Sequence, residues 1–202
     1  MDTLAAIASR RSVARTVGPA PDHTHGERLL DAAVRAPTHH LTQPWRFIVL
    51  TDDALAALGG VLAESARDAG TNVEAARRLQ TLAPVVVVVV GRAGQDHHVP
   101  ASDDHYAVGA AMQNLLLAAH ATGLGAMIRT GVHATSDRVR AHLGVKPDEQ
   151  IAGFVYLGHV PHGEERQPTP RTAARDLTEW HGSGGWCREG GIMPPADVAT
   201  DR

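Results

Sequence analysis

The sequence predicts an α/β sandwich in which about four strands are mixed with helices, followed by an extended C-terminal arm. The clearest strand is the run of six valines at 85–90, because β-branched residues that are apolar at every position are typical of a strand buried on both faces. Strands and helices do not alternate strictly, and no GxGxxG follows a first strand, so a Rossmann cofactor domain is disfavoured. After Val160 the chain becomes polar and rich in Pro and Gly. Residues 1–161 are therefore predicted to form the folded domain, and 162–202 an arm that wraps a surface or is partly disordered.

The first quarter of the chain is predicted to contain two helices and a strand. A short helix covers residues 3–9. Thr24 and Glu27 have the spacing of a capping box and introduce an amphipathic helix that Pro37 ends. A polar loop then leads into a strand from Trp45 to Thr51.

The remaining elements follow from caps, glycines and apolar patterns. Before the valine strand, they are a helix capped by Asp52 or Asp53 and ending near Ala69, and a helical stretch over 73–82. After that strand come a helix capped by Asp103 or Asp104 and running to about Thr122, and a strand near 125–130. A helix capped by Thr135 or Ser136 and ending at Gly144 then leads to a last strand from Ile151 to Gly158. The helix that ends near Thr122 is apolar nearly all round, which is typical of a helix in a core or at a subunit interface.

Composition and charge exclude several functions. The net charge of -3 provides no long-range attraction to nucleic acid or acidic membranes. The single cysteine, Cys187, cannot form a disulfide within the chain, and the N-terminus lacks the pattern of a signal peptide. The longest apolar run, at 83–90, is far shorter than the roughly 20 residues that span a bilayer. A cytoplasmic protein without nucleic-acid or membrane partners is predicted.

Three segments carry groups suited to ligand binding. Arg10, Arg11 and Ser12 offer several donors to one phosphate; alternatively they are a solvated helix end. The loop at 35–47 is dense in side-chain donors, as ligand-binding loops often are; alternatively it is a simple connection with packed aromatics. The segment 123–131, GLGAMIRTG, has glycines that permit close backbone approach; alternatively these are a helix cap and a turn.

Together these segments resemble the nitroreductase family of flavoproteins. The shared features are the N-terminal RRS, the AP...TQPWRF loop and strand, a helix that ends in GLG, and the closing strand GFVYLG at 153–158. The resemblance covers about residues 3–161 and is greatest to the short branch typified by the bacterial protein YdjA. It implies a nitroreductase-like fold, with a central, mostly antiparallel sheet flanked by helices.

The resemblance also implies a function. The family's members are homodimers with one FMN per subunit at the dimer interface, and they pass electrons from NADH or NADPH through FMN to nitroaromatics, quinones or similar acceptors by a ping-pong mechanism. No protein side chain is then needed as a catalytic nucleophile or base, because the flavin carries the hydride. The alternative is a flavin-binding or flavin-storing dimer that does not turn over.

Site residues are implied by position. Those implied for FMN are Arg10, Arg11 and Ser12 at the phosphate and ribityl chain, Arg35 and His39 from the partner subunit, and Ile128, Arg129 and Thr130 at the isoalloxazine. Those implied for NADH or NADPH are Ala118, Ala119, His120, Ala121, Thr122 and Gly123, although the alanines lack the polar groups of a usual nucleotide site. Two positions depart from the family: Ile128 replaces a tryptophan of the short branch, and 38–41 replaces a Ser-Gly-His-Asn type loop.

The thirteen histidines also suggest a metal hypothesis. The candidate ligands are His23, His25, His39, His40, His97, His98 and His105. There is no HExxH and no CxxC, and adjacent histidines on an extended segment point in opposite directions. No specific metal site is therefore expected.

Overall fold

The computed structural model describes residues 1–163 and 169–181. The four strands form one antiparallel sheet in the order β1-β2-β4-β3. The strands are β1 (Trp45–Thr51), β2 (Val85–Gly91), β3 (Leu124–Arg129) and β4 (Gln150–His159). The helices are α1 (Thr3–Ser9), α2 (His23–Ala33), α3 (Asp52–Asp68), α4 (Val73–Arg78), α5 (Ala101–Ala121), α6 (Val132–Thr135) and α7 (Asp137–His142). The predicted α/β sandwich with a central antiparallel sheet is confirmed.

The valine strand lies at the centre of this sheet. All seven residues of β2 are buried, and β2 pairs with β1 on one side and with β4 on the other. Val86, Val88 and Val90 face one apolar layer, which α3, α4, α6 and α7 cover. The alternate valines face a second layer, which α2 and α5 cover. Burial on both faces explains why every position of β2 is apolar.

Helix α5 is half core and half surface. Eight of its residues are buried and face the sheet, whereas Tyr106, Gly109 and Gln113 lie on its exposed face. The Tyr106 side of this helix is open in the single chain, since Tyr106 is 74% exposed. The apolar sequence of α5 therefore accounts for a core face, and it leaves a second face available for a partner.

Several helix starts differ from the sequence predictions. The cap of α2 is Asp22, whose carboxylate accepts the His25 N–H at 2.7 Å, so the predicted Thr24 capping box is wrong. Asp22 stands three residues before His25 and supplies the acceptor that an N-terminal turn needs. The predicted N-caps of α3 and α5 are also wrong. The N-cap residues are Thr51 and Pro100, and the Asp pairs that were predicted as caps lie inside the first turn of each helix. There acidic side chains complement the helix dipole.

The chain divides after residue 168 into two compact units. In the second unit, the described residues 169–181 contain one short 3-10 turn, Ala174–Leu177. The predicted arm, residues 162–202, includes the residues of this second unit. Its predicted partial disorder concerns mostly residues outside the described ranges. No helix within the described part of the chain is both long and apolar enough to cross a membrane.

Candidate functional site

The segment that carries the arginine pair is held against the edge of the sheet. Ser12 pairs with Ala126 of β3 through a parallel bridge, and the Val13 N–H donates to the Ala126 carbonyl at 2.9 Å. Further along, Val17 and His159 exchange two backbone hydrogen bonds of 2.9 Å each. The backbone from 12 to 17 thus runs from β3 to the end of β4, and it fixes where the preceding arginines lie.

Two glycines permit this close packing. A Cβ on Gly125 would lie 3.0 Å from the Val13 Cβ, and one on Gly158 would lie 2.7 Å from the Thr16 Oγ1. Both distances are shorter than ordinary van der Waals contact. The close-approach interpretation of Gly125 is therefore correct, and Gly158 has the same role, which the sequence analysis missed. The available signal was that Gly158 is the last residue of the closing motif GFVYLG in β4.

Arg10 and Arg11 lie near the last turn of α5. Ser9 Oγ and His120 Nε2 are 2.7 Å apart and form a hydrogen bond. Partial burial, and then the positive charges of Arg10 and Arg11, lower the pKa of His120. His120 is therefore neutral at neutral pH. The positive charges of the two guanidinium groups favour an anion near the last turn of α5.

Arg129 lies at the end of β3 beside the same segment. Its Nη2 donates to the Ala14 carbonyl at 3.0 Å, and its guanidinium carbon is 5.4 Å from the centre of the Tyr156 ring. Burial raises the pKa of Tyr156 to about 12, so the ring is uncharged. The Arg129 Nε is buried and has no hydrogen-bond partner among the described residues. A buried donor without an acceptor is costly, so this Nε–H is available to a bound polar group.

The other residues of 128–130 differ in environment. Ile128 packs partly buried against the α5 layer, on the sheet face opposite Arg129, because neighbouring residues of a strand point to opposite faces. Thr130 is exposed where the strand ends. The end of β3 therefore presents an aliphatic side chain, a guanidinium and a hydroxyl within three residues.

The loop that contains His39 is held at the other end of α5. His39 Nδ1 is 2.9 Å from the Asp103 carboxylate. Asp104, only 1% exposed, accepts hydrogen bonds from the Thr42 hydroxyl and the Gly94 N–H, both at 2.8 Å. Asp104 thus joins two loops to the first turn of the helix. The signal that could have revealed it was a carboxylate placed on the apolar face of α5.

The structure brings some predicted site residues together and separates others. Arg10 and Arg11 lie near the last turn of α5, whereas Arg129 ends β3 and bonds to the Ala14 carbonyl of the segment that follows Ser12. His39 lies at the first turn, and 17 residues from Asp103 to His120 span about 26 Å of helix. Arg35 is exposed beyond α2, whose Ala32 carbonyl accepts from Asn114 in the middle of α5. Within one chain, His39 and the pair Arg10 and Arg11 therefore lie at opposite ends of α5.

The predicted nucleotide stretch 118–123 ends α5. Ala118 and Ala121 line a cavity of about 250 Å³ beside α1. The Thr122 hydroxyl donates to the Ala118 carbonyl at 2.8 Å and lies 2.9 Å from His25 Nε2. Gly123 has φ +87°, the left-handed conformation of a helix end. Room is present in this region, but the polar groups of Thr122 and His120 already have partners.

Arg46, the arginine of the TQPWRF segment, has a structural role. Arg46 donates to both carboxylate oxygens of Glu149, at 2.8 and 2.7 Å, and the Lys146 N–H donates to the same carboxylate at 2.8 Å. The hydrogen bond from Arg46 is the main reason why the pKa of Glu149 falls to about 2. This motif therefore fixes the start of β1 against the chain before β4.

The fold is α+β, with Arg129 on the edge strand β3 and the pair Arg10 and Arg11 just before the segment that pairs with it. The model of the nitroreductase family matches residues 7–159, and the chain belongs to the nitroreductase family. It is 34% identical over 161 residues to an Escherichia coli K12 protein named "Putative NAD(P)H nitroreductase YdjA", covering 78% of this chain and 88% of that protein. The predicted likeness to the YdjA branch is confirmed.

Solved structures agree with this fold. A nitroreductase-like protein of Bacillus cereus matches with a TM-score of 0.78 at 22% identity, covering 91% of this chain and 97% of the other. A Desulfovibrio desulfuricans structure, described as a "putative nitroreductase in complex with fmn", matches with a TM-score of 0.71 at 26% identity, covering 90% and 97%. The family match, the Escherichia coli relative and the Desulfovibrio structure together support an oxidoreductase.

Proposed function

We propose that this protein is an FMN-dependent oxidoreductase that uses NADH or NADPH to reduce nitroaromatics, quinones or similar acceptors. The observation that carries the proposal is the unsatisfied buried Nε of Arg129, whose Nη2 bonds to Ala14 in the segment that follows Arg10–Ser12. A flavin mononucleotide has acceptors for such donors in its phosphate, ribityl chain and ring carbonyls. The FMN named with the Desulfovibrio relative agrees with this chemistry.

Each of these residues has a proposed role. Arg10 and Arg11, with the Ser12 hydroxyl, hold the phosphate through charge-assisted hydrogen bonds. Ile128, Arg129 and Thr130 contact the ring, with Arg129 providing positive charge where the reduced ring becomes anionic. When bound, FMN supplies hydride transfer between a nicotinamide and an acceptor, so the protein contributes binding, orientation and electrostatics.

A homodimer would complete the site. Across a two-fold axis, an antiparallel pair of α5 helices places the first turn of one beside the last turn of the other. Arg35 and His39 of one subunit would then approach the flavin held by Arg10 and Arg129 of its partner. The exposed face of α5 with Tyr106 is the surface we propose for this contact, and one FMN would lie in each of two equivalent sites.

The nicotinamide and the acceptor would use the same pocket in turn. We place contacts to NADH or NADPH at 118–123, where small side chains leave space beside α1. Occupation of one pocket by donor and then acceptor predicts ping-pong kinetics. An aliphatic Ile128 where the branch has tryptophan gives less stacking and a more open acceptor face, which favours a broad range of acceptors.

Anaerobic spectroscopy tests this function. The purified chain should be yellow, lose its flavin absorbance with NADH or NADPH, and regain it on addition of a quinone or nitroarene. A yellow protein that neither nucleotide bleaches would contradict a reductase and favour flavin storage. Protein that does not take up added FMN would contradict both functions.

Substitution of Arg10 tests the phosphate contact. Arg10→Ala removes charge-assisted bonds worth about 1.5–3 kcal/mol, so the Kd for FMN should rise by roughly 10- to 100-fold. Flavin fluorescence quenching measures the affinity, and circular dichroism checks that the fold is kept. Arg77→Ala, at the exposed end of α4, is the matched control and should leave the Kd unchanged. Equal affinities in the two variants would remove Arg10 from the site.

A further inference from the structure

A cluster of histidines surrounds one carboxylate, away from the pair Arg10 and Arg11. Asp96 follows β2, and its carboxylate oxygens lie 3.1 Å from His98 Nδ1, 3.9 Å from His97 Nδ1 and 3.8 Å from His40 Nδ1. One ligand atom from each of Asp96, His97 and His98 lies within 4.8 Å of the others. The cluster joins two separate stretches of chain, the turn His39–Leu41 and the turn at 96–98.

We propose that Asp96, His98, His97 and His40 form a binding site for a divalent transition-metal ion such as zinc or cobalt. Imidazole nitrogen and carboxylate oxygen are the ligands that such ions prefer in proteins. Two ligands about 2.0–2.2 Å from a tetrahedral metal are separated by roughly 3.3–3.5 Å. The observed separations from the carboxylate, 3.1 to 3.9 Å, lie on both sides of that value.

The backbone explains why adjacent histidines converge here. Neighbours on an extended strand point in opposite directions, but His97 and His98 lie in a turn. The Asp96 carboxylate accepts the His98 N–H at 2.8 Å, which closes this turn. The two rings then lie on the same side, with centroids 3.7 Å apart. The expectation from sequence that no metal site exists rested on the absence of HExxH and CxxC motifs and on an extended backbone, and this segment does not have an extended backbone.

The site is accessible, and it adjoins the His39 loop. The side chains of His40, His97 and His98 are 54%, 86% and 64% exposed, so an ion can enter and water can fill a remaining position. The ring of His40 lies 4.5 Å from that of His39, whose Nδ1 bonds to Asp103. A bound ion would fasten the turn His39–Leu41 to the turn at 96–98. The proposal does not depend on flavin binding.

Titration of the chelator-stripped chain, without a polyhistidine tag, tests this site. Zinc calorimetry should show one strong equivalent per chain, and cobalt should give visible absorption bands of tetrahedral ligation. Asp96→Asn and His98→Ala should each weaken zinc binding by more than about 100-fold, because loss of even an outer-shell partner costs roughly 10–100-fold. His142→Ala, an exposed histidine on α7, should bind as the parent does.

Asp96→Asn keeps an oxygen to accept the His98 N–H, so it separates loss of a ligand from loss of the turn. Thermal unfolding of each variant without metal should match that of the parent. Absence of strong zinc binding by the parent would overturn the proposal, as would parental affinity in both Asp96→Asn and His98→Ala. Flavin binding is measured independently by fluorescence, so failure here leaves the flavin proposal standing, and the reverse also holds.

Discussion

The ion pair between Arg46 and Glu149 leads to a quantitative prediction for Glu149→Gln. The Glu149 side chain is 5% exposed, and that of Arg46 is 37% exposed. The pKa of Glu149 falls from 4.5 to about 2 because Arg46 and the Lys146 N–H donate to its carboxylate. At neutral pH this lowering corresponds to about 3 kcal/mol, since each pKa unit is roughly 1.4 kcal/mol. Solvent screens the half-exposed arginine, which reduces the expected loss to about 2 kcal/mol.

The sign of the pH dependence follows from the direction of the shift. Because the folded-state pKa of Glu149 lies below the unfolded value, its stabilisation is complete above about pH 4.5 and disappears as the pH falls towards 2. The difference in unfolding free energy between the parent and Glu149→Gln should therefore be about 2 kcal/mol at pH 7. It should fall to less than half of that by about pH 3.

Urea denaturation at a series of pH values, followed by circular dichroism, measures this difference. Glu74→Gln is the control, since the Glu74 side chain is 65% exposed beside Arg78 and should cost less than about 1 kcal/mol. A difference between parent and Glu149→Gln that stays constant from pH 7 to pH 3 would refute the argument. So would a loss at pH 7 no larger than that of the control.

Two further predictions concern the packing that positions the site. Gly158→Ala forces a Cβ to within 2.7 Å of the Thr16 Oγ1 and should lower the unfolding free energy by roughly 1–3 kcal/mol. The control is Gly26→Ala in α2, which has open space around it and should leave the unfolding free energy unchanged or raise it. Equal effects of the two substitutions in urea denaturation would contradict this prediction. Asp104→Ala leaves the Thr42 hydroxyl and the Gly94 N–H without their acceptor and should cost roughly 1–3 kcal/mol. Hydrogen exchange at the Gly94 amide should accelerate, and unchanged protection there would show that Asp104 does not hold the loop.

Elements with a strong local signal were predictable from sequence. The valine run fixed β2 as a central buried strand, and the predicted strand Trp45–Thr51 matches β1. Helix starts were less predictable because several polar residues near a terminus can serve as the cap. Asp22 and Thr24 are both plausible acceptors, and only the backbone geometry of Asp22 places its carboxylate at the first turn.

The candidate site was predictable only in part. Its arginines were predicted from composition, spacing and resemblance, and in the structure Arg129 bonds to the segment that follows Arg10 and Arg11. Contacts between residues distant in sequence were not predictable. The bonds that Asp104 makes to two loops, and the meeting of His40 with Asp96, depend on how these loops fold back onto α5, and no local pattern encodes that.

Mixed dimers test most directly whether one flavin is held between two copies of the chain. Arg10→Ala and the double variant Arg35→Ala/His39→Ala would be co-expressed with different tags, and FMN would be counted per dimer. In a shared site, each mixed dimer has one intact site and one doubly damaged site. An equal mixture should then recover roughly a quarter of the parental strong binding, all of it in the mixed dimers. If the mixed dimers recover no strong FMN binding, the shared site is contradicted. That result is expected when each site is built from a single chain, because both chains of a mixed dimer are then damaged.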